Sequence, residues 1–145
     1  MDIKYNALLT VNSVIDNLTY DGIPDGDPEI NIFTADGIFN FRDEKAEMLY
    51  VETGEDSKTV CTLYTSGSEV ILSRRGSVEC ALTFSEGETT KTIYRVPPYS
   101  FDMTVETLKI RNSLSDMGGE LQLIYMMNIG GQDKKVRMKI TVKKK

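Results

Sequence analysis

The strongest constraint on the fold is an alternation of apolar and polar residues between Val70 and Tyr99. In its clearest part, every second residue is apolar: Val78, Cys80, Leu82 and Phe84. A period of two is typical of a β-strand with one buried face. Because glycines at 76 and 87 interrupt the pattern, it predicts three consecutive antiparallel strands joined by tight turns.

The same alternation recurs along most of the 145 residues. Residues 3–15 predict a first strand of unusual length, which suits a barrel or a strongly coiled sheet. Residues 43–52 fit either a short helix or a strand, and a strand over 46–53 agrees better with its neighbours. About nine or ten short strands without an amphipathic helix indicate an antiparallel barrel or sandwich. We predict a closed or nearly closed all-β barrel, with residues 1–145 as one domain.

Three local features predict where the strands bend or end. Asp36-Gly37 predicts a hairpin turn or a bulge within one bent strand. The apolar residues change phase at Glu106-Thr107, which predicts a bulge because one inserted residue exchanges the two faces of a strand. Pro97-Pro98 cannot donate to a ladder, so the chain must leave the sheet there.

Composition limits the cellular setting. The chain is 40% hydrophobic and 27% charged, as in soluble globular proteins, and no apolar run is long enough to span a bilayer. The first residues do not resemble a secretory signal, so we predict a cytoplasmic protein without a membrane partner. Cys61 and Cys80 are single thiols in apolar strands, and we predict that both are buried and reduced. A bridge between neighbouring strands is the alternative.

The complete absence of histidine narrows the possible chemistry. It removes Ser-His-Asp and Cys-His catalysis as well as histidine metal sites. Two isolated cysteines cannot form a structural zinc site, and we expect the acidic residues on solvent faces and in turns. The aspartates of residues 21–28 do not have EF-hand spacing, so we predict a solvated loop there. The sequence therefore predicts no enzyme, no cofactor and no metal, with a histidine-free enzyme as the alternative.

A basic segment near the end of the chain raises the question of nucleic acid. Residues 134–145 contain seven lysines and arginines and no acidic residue, although the net charge of the whole chain is −5. Met138, Ile140 and Val142 alternate with these cations, which indicates the wet face of a strand. Lysines there also discourage edge-to-edge pairing of sheets. Since an acidic chain repels phosphate, we predict no nucleic-acid partner.

Two adjacent arginines suggest either a site for an anionic ligand group or a cation that reaches water at the barrel rim, and the rim is favoured because strand ends at turns are usually exposed to water. Because side chains alternate along a strand, one of Arg74 and Arg75 must face the barrel interior, and the sequence leaves open which one. The aromatic residues of the strands could line a pocket or fill the barrel. We predict that a small, partly apolar ligand binds near the mouth at Arg75, Tyr94 and Tyr99, without catalysis. The alternative is a homodimeric or other protein-interaction module with a packed core.

A set of spaced residues also resembles a known family. The set comprises Gly37, Tyr50-Val51-Glu52, Arg75-Gly76, Phe84, Gly87, Tyr94, Pro98-Tyr99, Thr107, Gly118-Gly119, Tyr125 and Gly131. Their order resembles the YwiB-like family, small uncharacterised proteins mainly of Firmicutes that carry a domain of unknown function. This resemblance implies a calycin-like, lipocalin-type β-barrel and supplies no catalytic residues. Because the chain has no tryptophan for the Gly-x-Trp hallmark of lipocalins, ligand transport is not carried over with the fold.

Overall fold

The structure, a computed structural model, describes residues 2–145 as a single antiparallel sheet. Met1, the first residue of the predicted domain, lies outside the described residues. The sheet has ten strands: β1 (Ile3–Asn17), β2 (Glu29–Arg42), β3 (Lys45–Thr53), β4 (Lys58–Ser66), β5 (Glu69–Gly76), β6 (Cys80–Ser85), β7 (Thr89–Val96), β8 (Tyr99–Asn112), β9 (Gly119–Ile129) and β10 (Gln132–Lys144).

The sheet curls into a nearly closed barrel. Its strand order is β6-β5-β4-β3-β2-β1-β10-β9-β8-β7, so the first and last strands of the chain pair in the middle. The two ends of the sheet are β6 and β7, and Glu79 and Arg95 bridge them with backbone hydrogen bonds of 2.8 and 2.9 Å. The prediction of an all-β antiparallel barrel is confirmed.

Most of the local predictions are confirmed as well. The sequence of residues 43–52 fitted either a helix or a strand, and the structure has strand β3 there, over Lys45–Thr53. It follows a two-residue turn in which Asp43 and Glu44 have positive φ. The register between β8 and β9 shifts between Thr107 and Lys109, close to the predicted bulge. The Pro97-Pro98 pair forms the turn between β7 and β8, outside the ladder.

The prediction of a turn or bulge at Asp36-Gly37 is wrong. Strand β2 pairs with β1 without a register shift from Glu29 to Phe41. The glycine is required instead by a close approach, because a Cβ at Gly37 would lie 2.6 Å from the carbonyl oxygen of Leu49 and 2.7 Å from Cδ1 of Leu9. The pairing of β2 with β3 also stops at Gly37, so residues 29–36 separate from β3.

One end of the barrel is filled by the protein's own side chains. Its largest fully buried residues include Phe39, Met48, Leu63, Val70, Phe84 and Leu121. Aromatic contacts tie this end together, with ring centroids 5.4 Å apart for Tyr5 and Phe39. Burial of each such side chain contributes about 1.5–3 kcal/mol. This packed end holds the strands in register and leaves the opposite end free to enclose a cavity.

Candidate functional site

A cavity of about 530 Å³ occupies the other end of the barrel. Its apolar wall consists of Val11, Ile15, Phe33, Leu72, Leu82, Met103, Met127, Ile129, Val136 and Met138. Its polar side chains include Ser13, Asn31, Glu52, Arg74, Cys80, Tyr94, Tyr125 and Lys134. The volume lies in the range typical of small-molecule sites, about 300–1,000 Å³. The barrel is therefore packed at one end only.

The cavity reaches the surface between β2 and β3. In the described part of the chain, only these two strands contribute both inward and outward side chains to the lining. Phe33 on β2 and Glu52 on β3 point inward, whereas Ile32 on β2 and Val51 on β3 point outward. The other strands contribute inward side chains alone. Because β2 and β3 separate beyond Gly37, a lateral mouth opens between them. Its apolar rim includes Ile32, whose side chain is largely exposed.

A row of inward side chains crosses four neighbouring strands beside the cavity. The register pairs Tyr50 with Cys61, Cys61 with Arg74, and Arg74 with Cys80. Arg74 is in phase with the buried residues Val70 and Leu72, so strand periodicity directs it inward. The row places one cation among two thiols and a phenol.

Arg74 forms an ion pair with Glu52 inside the barrel. The distance from its Nη2 to Oε2 of Glu52 is 3.7 Å, and the Arg74 side chain is 24% exposed. Burial by itself lowers the pKa of Arg74, but the Glu52 carboxylate, Cys61 and Tyr50 raise it, so the pKa lies above its ordinary value. The guanidinium is therefore a permanent cation in the wall of the cavity.

The two cysteines flank this cation as protonated thiols. Cys61 Sγ donates to Oε2 of Glu52 at 3.5 Å, and burial raises the pKa of the Cys61 thiol to about 11. Burial also raises the pKa of Cys80, although Arg74 acts in the opposite direction. Thiols with raised pKa values are weak nucleophiles at neutral pH.

Both cysteines are free thiols, and their positions explain why. Strand β5 lies between the strands that carry Cys61 and Cys80. With a spacing of about 4.8 Å between strands, the two Cα atoms are roughly 9–10 Å apart. A disulfide needs Cα atoms within about 7 Å. The alternative of a bridge between neighbouring strands is therefore wrong.

Two tyrosines complete the polar part of the wall. Burial raises the pKa of Tyr125 to about 12, with the charge of Arg74 opposing the shift. Burial likewise raises the pKa of Tyr94, again against the effect of Arg74. Both phenols therefore stay protonated at neutral pH and can donate a hydrogen bond to a group in the cavity.

The predicted ligand-binding residues are only partly brought together. Tyr94 lines the cavity. Arg75 is exposed on the outer face, in a groove that Glu79 and Arg95 also line. Tyr99 lies at the turn between β7 and β8, is 66% exposed and does not line the cavity. The arginine that lines the cavity is Arg74, and its neighbour Arg75 faces away from the cavity.

Sequence reasoning missed Glu52, Tyr125 and Lys134, which also line the cavity. The expectation that acidic residues lie on solvent faces is wrong for Glu52. The alternation of side chains along each strand could have identified them. Glu52 follows the buried Met48 and Tyr50 at intervals of two residues and therefore shares their inward face. Lys134 likewise precedes the buried Val136 at the same interval. Each lies on the inward face of its strand.

Other predicted features lie on the surface. Outward cations of β10 pair with acidic residues of neighbouring strands, Arg137 with Asp16 at 3.6 Å and Lys139 with Glu120 at 3.5 Å. The aspartates of residues 21–28 are exposed. No group of three or more histidine, cysteine or acidic side chains in residues 2–145 is placed to hold a metal ion. Over the same residues, no helix is long and apolar enough to cross a membrane.

Comparison with known proteins identifies the family. The family model described as "Domain of unknown function (DUF1934)" matches residues 20–141. The chain belongs to this family. It is 25% identical over 124 residues to the "Uncharacterized beta-barrel protein YwiB" of Bacillus subtilis (strain 168), an alignment that covers 86% of this chain and 82% of that protein.

The fold of this DUF1934 protein matches a solved structure, the crystal structure of the ywiB protein from Bacillus subtilis. The TM-score is 0.84 at 24% identity, and the match covers 98% of this chain and 93% of the other. The resemblance to the YwiB-like family and the β-barrel fold are thereby confirmed. The finer classification as a calycin-like barrel stays a prediction.

Proposed function

We propose that this DUF1934 protein binds a small, partly apolar molecule inside its calycin-like barrel and catalyses no reaction on it. The cavity of about 530 Å³ carries the proposal, because it joins an apolar wall to the partly exposed cation of Arg74. A cytoplasmic location belongs to the same proposal. It is supported by the two free cysteines, which suit a reducing compartment.

The composition of the wall suits a ligand better than water. Apolar surface removed from water contributes about 25 cal/mol per Å² to binding. Met103, Met127 and Met138 lie on the wall, and their flexible side chains can adapt to the shape of a bound molecule. The mouth between β2 and β3 gives such a molecule a path into the barrel.

Native mass spectrometry of the protein, purified gently from its source cells, tests the proposal. We expect the folded chain to carry an additional mass that leaves on denaturation, because a ligand buried in a preformed cavity dissociates slowly. The same protein after extraction with organic solvent is the control and should show the chain mass of 16.3 kDa alone. A source preparation without any adduct, which also binds no added apolar molecule, would contradict the proposal.

A second candidate function, homodimerisation, is favoured by the edge of β2. Within residues 2–145, the segment 29–36 pairs with β1 on one side and with no strand on the other. Ile30 and Ile32 on this segment are 62% and 63% exposed. Unpaired apolar edges are templates for pairing with another chain. In the same spectra, a clean mass of twice the chain without an adduct would favour this candidate over ligand binding.

A further inference from the structure

We infer that the ligand carries an anionic group, a carboxylate or a phosphate ester, which Arg74 binds while an apolar body lies along the methionine-containing wall. The inference rests on the proposed function and specifies the chemical class of its ligand.

The charges inside the barrel favour an anion. Among residues 2–145, the charged side chains that line the cavity are Glu52, Arg74 and Lys134, so this lining carries one net positive charge. The single carboxylate is already shared between Arg74 and the thiol of Cys61. A negative group would balance the remaining charge, whereas a cationic ligand would be repelled in a site with reduced access to water.

The contacts of Arg74 leave its guanidinium without strong partners. Its ion pair with Glu52 spans 3.7 Å, whereas charge-assisted hydrogen bonds span about 2.7–2.9 Å. Among the residues that the structure describes, its buried Nε has no hydrogen-bond partner. The side chain is 24% exposed and lines the cavity, so an oxyanion can approach the guanidinium from within. Planar guanidinium groups bind carboxylates and phosphates through paired hydrogen bonds.

The rest of the wall requires an apolar body on the same molecule. Met103, Met127 and Ile129 are among the apolar residues that line the cavity. A small inorganic anion would leave this surface in contact with water, and a plain hydrocarbon would leave Arg74 without an anionic partner. An amphipathic anion satisfies both parts of the cavity at once.

Isothermal titration with matched amphiphiles tests the inference. Solvent-extracted protein is titrated with dodecanoate, dodecyl phosphate, dodecanol and inorganic phosphate, each below its aggregation limit. We expect at least one of the two anionic amphiphiles to bind about tenfold or more tightly than dodecanol, since a hydrogen bond to a charged group is worth about that factor. The tighter of the two identifies the anionic group, and inorganic phosphate should not bind measurably.

Variants of the two adjacent arginines locate the anion. Arg74→Met should weaken binding of the anionic amphiphile by about ten- to one hundredfold and leave dodecanol binding within about threefold. Arg75→Met removes the same charge from the outer face of the barrel. It should change neither the affinity for the anionic amphiphile nor the affinity for dodecanol. Glu52→Gln should tighten anion binding by about tenfold, because it removes the competing carboxylate. This opposite effect tests the inference even if Arg74→Met does not fold.

The outcomes separate the inference from the proposed function. The inference of an anionic ligand would be wrong if dodecanol and both anionic amphiphiles bound with equal affinity, or if Arg74→Met and Arg75→Met lost equal affinity. The proposal that the barrel binds a small molecule would still stand. Weaker binding of the anionic amphiphile by Glu52→Gln would contradict the same inference. If none of the amphiphiles binds and the protein from source cells carries no adduct, the proposed function itself is wrong.

Discussion

Replacing Phe39 by alanine is expected to lower the free energy of unfolding by about 3–5 kcal/mol. The side chain is 0% exposed and fills the packed end of the barrel. Its ring centroid lies 5.4 Å from that of Tyr5 and 6.3 Å from that of Phe41, and such aromatic pairs add about 0.5–1.5 kcal/mol beyond burial. Equilibrium unfolding in urea measures the loss as a lower midpoint at an unchanged slope.

The matched control is Phe101→Ala, which truncates a phenylalanine that is 41% exposed. We expect it to cost less than about 1 kcal/mol, as surface substitutions usually do. Because Phe39 does not line the cavity, the folded fraction of Phe39→Ala should bind ligand as the wild type does. Similar losses of stability in the two variants would show that the packed end does not hold the barrel together.

Replacing Gly76 by alanine is expected to destabilise the fold by about 3 kcal/mol or more. Gly76 ends strand β5 with a φ of +145°, a conformation that is essentially confined to glycine. A Cβ there would clash with the carbonyl oxygen of Lys58 and lie 2.9 Å from Cα of Thr59. Both obstacles are backbone atoms of β4, so a side-chain rotation cannot relieve them. Thermal and urea unfolding would measure the effect.

Gly67→Ala is the control, because it introduces the same methyl group at a positive φ of +59° with nothing within 4 Å. This substitution should destabilise the fold only by the cost of holding alanine at a positive φ, about 1–2 kcal/mol. The difference between the two variants isolates the clash with β4. A Gly76→Ala protein as stable as Gly67→Ala would contradict the close packing of β4 and β5 beside Arg74.

The barrel could be predicted because its signal is local. Alternation around Cys80 and Leu82 fixes one buried face of a strand, and the change of phase near Thr107 locates a bulge to within about a residue. The prediction of a turn or bulge at Gly37 was wrong because tight turns and close contacts between strands both favour glycine. Only the pairing of β2 between Ala7 and Tyr50 shows that the glycine makes room for a neighbouring strand.

The site was harder to predict because it depends on how distant strands meet. Ile71 and Leu72 are both apolar, so β5 has apolar residues on each face, and its pattern alone does not decide between Arg74 and Arg75. The partnership of Arg74 with Glu52 joins strands β3 and β5 across β4. Tyr94 and Tyr99 are close in sequence, but they stand on opposite sides of the Pro97-Pro98 turn, and only Tyr94 lines the cavity.

The methionines provide the most direct test of the claim that the cavity is a binding site. Met103, Met127 and Met138 line the cavity, whereas Met48 lies in the packed end and Met117 is 79% exposed. Carbon-13 labelling of the methionine methyl groups gives each of these positions its own NMR signal. The labelled protein is titrated with the anionic amphiphile that binds most tightly.

We expect the signals of Met103, Met127 and Met138 to shift together along one binding curve, because the ligand contacts the wall that they form. The signals of Met48 and Met117 should stay in place. Saturable binding that leaves the three cavity methionines unmoved, or that shifts Met117 instead, would contradict the account and place the ligand outside the barrel.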